Sequence, residues 1–148
     1  MKISHTIVVM FVGSFIVQYF AMPPIMVNSV SNITNSIGKA YLAAIMGLFM
    51  VLLEIGMHDM QYNVFSSTKY IIIVILLGVF IYLYRKQVAI GDKQYLEEMI
   101  EHHSMALLTS EEILKKTDNY NVAKLGKNII QKQKDEIREM KDLVNKVQ

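Results

Sequence analysis

Apolar runs fill about the first ninety residues of the chain, and an amphipathic, charge-rich pattern fills the rest. The runs cover about 7–27, 40–57 and 64–84. At about 1.5 Å per residue each is long enough for a helix crossing a hydrocarbon layer of about 30 Å. Pro23-Pro24 predicts a kink or an end of the first helix near Met22. Tyr82 and Tyr84 suit interface depth in the third, and Arg85 and Lys86 close it. Residues 28–39, rich in Ser and Asn, read as a polar loop. A cleaved signal peptide is the rival reading of the first run, because Lys2 precedes an apolar core ending in small and Pro residues. The two runs that follow favour a multi-pass anchor.

Three crossings put the termini on opposite sides of the bilayer. Lys39, Arg85, Lys86 and Lys93 on one side outvote Lys2 and Lys69 on the other, which favours a cytoplasmic C-terminal part. Within the second run Met46, Met50, Glu54 and His58 share one helical face, with Met57 close by. Methionine there reads as gap-filling, and His58 falls in the interfacial loop. Glu54 stands out, because an ionisable group costs about 3 kcal/mol or more at the bilayer centre and so faces a partner or a water-filled path.

From residue 91 the period becomes that of a soluble amphipathic helix, with Asp92 as the expected N-cap. Tyr95, Leu96, Met99, His103, Ala106, Ser110, Ile113 and Leu114 form its expected inner face, with His102 at the flank and Met105 pointing away. The helix should end near Lys116, and Thr117-Asp118-Asn119 supplies turn chemistry. A second helix over 121–147 presents Val122, Gly126, Ile129, Gln133, Ile137, Met140, Val144 and Val147, with Glu136 beside Gln133. Gly126 reads as a packing notch.

Folded as an antiparallel hairpin, positions whose numbers sum to about 236 share a level. His103 then faces Gln133, Met99 faces Ile137, and Met140 sits nearby. A buried imidazole bonded to Gln133 is the simplest account, but it leaves the second histidine and the two methionines unexplained. The fold expected is therefore all-α: a membrane domain over 1–90 and a helical hairpin over 91–148. Two such helices leave much apolar face open, so a dimer completing a four-helix bundle is the economical solution.

Composition narrows the chemistry. The net charge of +2, spread along helices, gives no basis for nucleic-acid binding, and the absence of cysteine removes disulfides, thiolate sites and cysteine nucleophiles. What remains is a soft-metal donor set: Met99, His102, His103 and Met140, with Gln133 and Glu136 as supporting groups. Thioethers select Cu(I) or Ag(I) over zinc, and protonation of imidazole should release such a metal near about pH 6 or below. A di-iron enzyme is not expected, because Met99 and Ile100 stand where Glu-x-x-His pairs would need carboxylates. No other catalytic motif is visible, so no enzyme is expected.

Two separated strings, Met99-Ile100-x-His102-His103-Ser104-x-Ala106-x-Leu108-Thr109-Ser110-Glu111 and Ile129-Ile130-x-x-Gln133-x-x-Glu136-Ile137-x-Glu139-Met140-Lys141, resemble the family called domain of unknown function 305, in its form with three N-terminal spans. His5 and Met46-Gly47-x-x-Met50 extend the likeness more loosely. The resemblance implies a ferritin-like helical bundle, and some exported members are similar to copper- and silver-binding proteins that use Met and His. It places Met99, His102, His103, Gln133, Glu136 and Met140 at motif positions. Glu101 stands where the family usually has Pro, and Glu54 where a methionine is expected. A membrane-anchored Cu(I) or Ag(I) binder is the first functional expectation. A non-catalytic assembly protein, whose hairpin mediates oligomerisation, is the second.

Overall fold

The alternation of exposed and buried positions along α3 (Ile37–Tyr62) shows how the apolar part of the chain is organised. Ala43, Ala44, Gly47, Leu48, Val51 and Ile55 recur at helical spacing and are buried, whereas Phe49 and Leu53 between them point outward. The structure is a computed structural model describing residues 3–147, so Lys2 of the charge comparison lies outside the described residues. Among the described residues all regular structure is helical. One compact unit gathers the chain up to Ala21 with Ile37–Ala89, and another gathers Met22–Ser36 with the chain from Ile90 onward.

In the first unit α3 packs against α1 (Ile3–Ile16) and α4 (Ser67–Arg85). Small residues let α1 come close: a Cβ at Gly47 would lie 2.8 Å from a ring carbon of Phe11. The other faces of α1 and α4 are apolar and outward, including Val8, Val12, Ile16, Ile71, Val74 and Ile75. Apolar side chains turned outward on all three helices suit a hydrocarbon surround, not water. By length and composition Ile3–Met26, Ile37–Tyr62 and Ser67–Arg85 are each long and apolar enough to cross a membrane; the first two are longer than expected, and the third starts later than expected.

The expected disturbance at Pro23-Pro24 takes a specific form. Those prolines offer no N–H to the carbonyls four residues back, and their rings crowd them. The preceding turn widens into a π-helix over Val17–Ala21, and a short helix α2 (Met22–Met26) follows. At the α3–α4 turn, buried Asp59 accepts hydrogen bonds from the Ser66 backbone N–H at 2.6 Å and the Ser66 hydroxyl at 2.9 Å. Asn63 there takes φ 50, the left-handed conformation that Asn tolerates better than most residues.

The second unit is the hairpin of α5 (Asp92–Leu114) and α6 (Tyr120–Val144), together with residues 22–36. Gly91, not Asp92, is the N-cap of α5; Asp92 lies inside the first turn, where its charge still suits the helix dipole. The Asn119 side chain caps α6 by accepting from the backbone N–H groups of Asn121 and Val122. Ile100, Leu107, Ile137 and Met140 form the core, and Leu96, Met99, Ile130 and Val144 pack against it. The buried side of α5 is turned from the expected one: Tyr95 and Ile113 are exposed, Ile100 and Leu107 are buried, and Met105 is half-buried. The reason is that α5 covers two partners, α6 on one side and residues 22–36 on another.

Gly126 is the expected notch, since a Cβ there would lie 3.1 Å from Leu114 Cδ2. A β-branched side chain must displace Leu114 or separate the helices. Gly126→Val is therefore expected to destabilise the hairpin by about 1–3 kcal/mol, the usual cost of overpacking, measured by denaturant unfolding followed at the helical circular dichroism band.

Candidate functional site

His103 of α5 and Gln133 and Glu136 of α6, the last two about one turn apart, interrupt the apolar seam between the helices. His103 projects from α5 with its side chain 18% exposed, and its Nδ1 lies 3.2 Å from Glu136 Oε2 on α6. The separation suits an ion pair once the imidazole is protonated, yet the orientation makes no hydrogen bond, and Nδ1 is buried without a hydrogen-bond partner. Gln133, about one turn before Glu136 on α6, also buries its Oε1 without one. Such atoms ordinarily find partners, because an unsatisfied buried polar group costs about 1–3 kcal/mol.

The thioethers lie at the hairpin core. Met140 is 8% exposed among Ile100, Leu107 and Ile137, and Met99 packs against the same cluster from α5. His102 is exposed. One chain thus sets His103 against Glu136, with Gln133 about one turn away on α6 and Met99 and Met140 at the hairpin core, and leaves His102 exposed. Among the described residues no three His, Asp or Glu side chains gather as a metal group.

A second polar cluster, not anticipated from the sequence, lies on the side of α5 turned to residues 22–36. Ser104, fully buried, donates to Asn28 Oδ1 at 2.7 Å and accepts from the Asn28 backbone N–H at 3.1 Å and Asn32 Nδ2 at 3.2 Å. Lys141 of α6 donates to Asn32 Oδ1 at 2.6 Å, so one asparagine ties the segment to both helices. Glu101 accepts the Thr34 backbone N–H at 3.0 Å, and the Thr34 hydroxyl donates to the Glu97 carbonyl at 2.6 Å. The carboxylate of Glu101 therefore holds the segment. Residues 22–36 act as a strap across the hairpin, and Glu101 and Ser104, its anchors, bracket His102-His103. The available signal was the polar Asn28, Asn32 and Ser104 pattern, which has no helical or strand period to link it.

Glu54 is half-buried on α3, and Met46 and Met57 of its face are outward. Met50 of the same face is half-buried.

Among the described residues these features define an all-helical protein with three apolar helices and a strapped amphipathic hairpin that carries His103 against Glu136. The family model called domain of unknown function 305 matches residues 83–147, which hold the hairpin. The chain is also 29% identical over 142 residues to "Uncharacterized protein L153" of Acanthamoeba polyphaga mimivirus, covering 96% of this chain and 93% of that protein. No solved structure matches.

Proposed function

We propose that this is a membrane-anchored binder of Cu(I) or Ag(I), serving metal handling or tolerance, with His103 and Met99 as ligands and Met140 as the adjoining thioether. The carrying observation is the pair of buried, unpartnered atoms His103 Nδ1 and Gln133 Oε1 on facing helices. Their burial costs stability, and a bound cation recovers that cost at the imidazole lone pair. Glu136 supplies a compensating charge beside the imidazole. A soft monovalent ion fits this donor set, whereas zinc prefers imidazole, thiolate and carboxylate, of which no group of three is gathered among the described residues. His102 adds a ligand only from outside the hairpin's own core, and no catalysis is assigned.

The lipid bilayer is the surround that the outward apolar faces of α1, α3 and α4 suit. The strap supports this topology: it precedes α3, the hairpin follows α4, and two crossings between them return the chain to the same side. The loop charges favour the cytoplasm for that side. The second reading is a non-catalytic assembly protein, in which two hairpins form a four-helix, ferritin-like bundle. The exposed Tyr95, Ile113, Leu125 and Leu143 of the hairpin favour it.

Titration of purified full-length protein with Cu(I) against a competing chelator tests the metal. Wild type should withdraw copper, and His103→Ala and Met99→Ala should each weaken binding by about tenfold or more, a change of about 1.4 kcal/mol or more. Equal affinity of wild type and both variants would leave the assembly reading.

A further inference from the structure

The strap covers one side of the hairpin and leaves the other bare. Stepping about 100° per residue, Ser104 and Glu101 of α5 and Lys141 of α6 lie on the strap side, where their contacts place them. The opposite side presents Tyr95, His102 and Ile113 on α5, and Leu125, Glu136 and Leu143 on α6. The four apolar residues of this set are 39–60% exposed, with Tyr95 at 52% and Leu125 at 60%. His102 and Glu136 lie between them and are also exposed. Next to that polar centre the buried His103 Nδ1 and Gln133 Oε1 have no hydrogen-bond partners.

We infer that a second copy of this chain docks on the strap-free side, about a two-fold axis parallel to α5 and α6. The argument is one of register. Within a chain, His103 lies level with Glu136 and Leu114 with Gly126. An axis along the helices preserves level and sets α5 of one copy against α6 of the other. Tyr95 then meets the partner's Leu143, His102 the partner's Glu136, and Ile113 the partner's Leu125. Apolar residues fall on apolar residues at both ends of the face. An imidazole falls on a carboxylate at its centre, so the face is self-complementary in shape and charge. The exposed histidine, left out of the seam in its own chain, becomes the partner's contribution to it.

This inference gives the proposed four-helix assembly a particular face and does not depend on metal. The chain has no cysteine, so introduced thiols are the only ones present. Two differently tagged full-length chains, one with Ile113→Cys and one with Leu125→Cys, are co-expressed and oxidised in their membranes in the presence of a chelator. A second pair carries Tyr95→Cys and Leu143→Cys. The control pairs Ile113→Cys with Arg138→Cys, whose native side chain is 77% exposed on the far side of α6. Disulfide-linked dimers carrying both tags should form in the first two pairs at several times the control level. Equal cross-linking in all three pairs would overturn the inference, as would its absence while every thiol still reacts with a maleimide. Because the membranes are metal-free, failure here leaves the copper titration unaffected, and a failed titration leaves this face standing.

Discussion

Ser104→Ala is expected to destabilise the hairpin unit by about 1–3 kcal/mol. The serine is fully buried, and its hydroxyl serves two asparagines at once: it donates to Asn28 Oδ1 and accepts from the Asn28 N–H and Asn32 Nδ2. Removing it takes a shared partner from all three groups, although the Asn28 N–H keeps the Ser104 backbone carbonyl at 3.2 Å and Asn32 Nδ2 keeps Asn28 Oδ1 at 3.2 Å, so the cost is that of lost hydrogen bonds and not of orphaned groups. Asn32→Ala breaks the same network from the strap and also releases Lys141. The double variant should therefore cost clearly less than the sum of the two single ones. Thermal unfolding of the full-length protein in detergent, followed by circular dichroism, measures all three. A loss below about 0.5 kcal/mol for Ser104→Ala, the level typical of surface changes, would mean that the strap does not hold the hairpin.

Gln133→Met is expected to have the opposite sign, raising the stability of the metal-free protein by about 1–2 kcal/mol. Methionine replaces the amide at similar volume, removes a buried oxygen that has no hydrogen-bond partner, and faces the same apolar seam. A residue that weakens the fold is understandable where it serves a ligand, so the gain in stability should accompany weaker Cu(I) affinity. A destabilised metal-free variant would show that the amide is needed by the fold itself.

Much of this architecture was legible in the amino-acid pattern, because hydrophobic periodicity is a local signal. The three apolar helices, the hairpin and the notch at Gly126 follow from spacing within single elements. The count through the turn placed His103 opposite Gln133, whereas the contacts set His103 against Glu136 and Leu114 against Gly126, about one turn further along α6, because a count from the turn does not fix where the two helices first meet. The strap was not legible. Asn28, Asn32 and Thr34 lie in an aperiodic segment, and their partners Ser104 and Glu101 are more than sixty residues away in the chain. The rotation of α5 followed from the same omission: Tyr95 and Ile113 continue an apolar face, but a helix that must also cover a polar strap cannot bury all of it. Asp59 was hidden for a related reason. Its role is to accept hydrogen bonds from Ser66 across the α3–α4 turn, and no helical period marks such a residue.

The relation between strap and seam gives the candidate site its physical logic. Ser104 and Glu101 fix the rotation of α5 about its own axis, so the adjacent histidines diverge, with His103 turned into the seam and His102 outward. Met140 and Lys141 divide in the same way on α6, the thioether entering the core and the ammonium reaching Asn32. The site is thus prepared by neighbours that do not themselves carry its chemistry.

The most direct test of the central claim is the X-ray absorption fine structure at the copper edge of full-length protein loaded with Cu(I). The account predicts a shell containing both nitrogen from His103 and sulfur from a methionine thioether, with the nitrogen contribution reduced in His103→Ala and the sulfur contribution reduced in Met99→Leu. Copper that fails to load, or a shell unchanged in both variants, would contradict it.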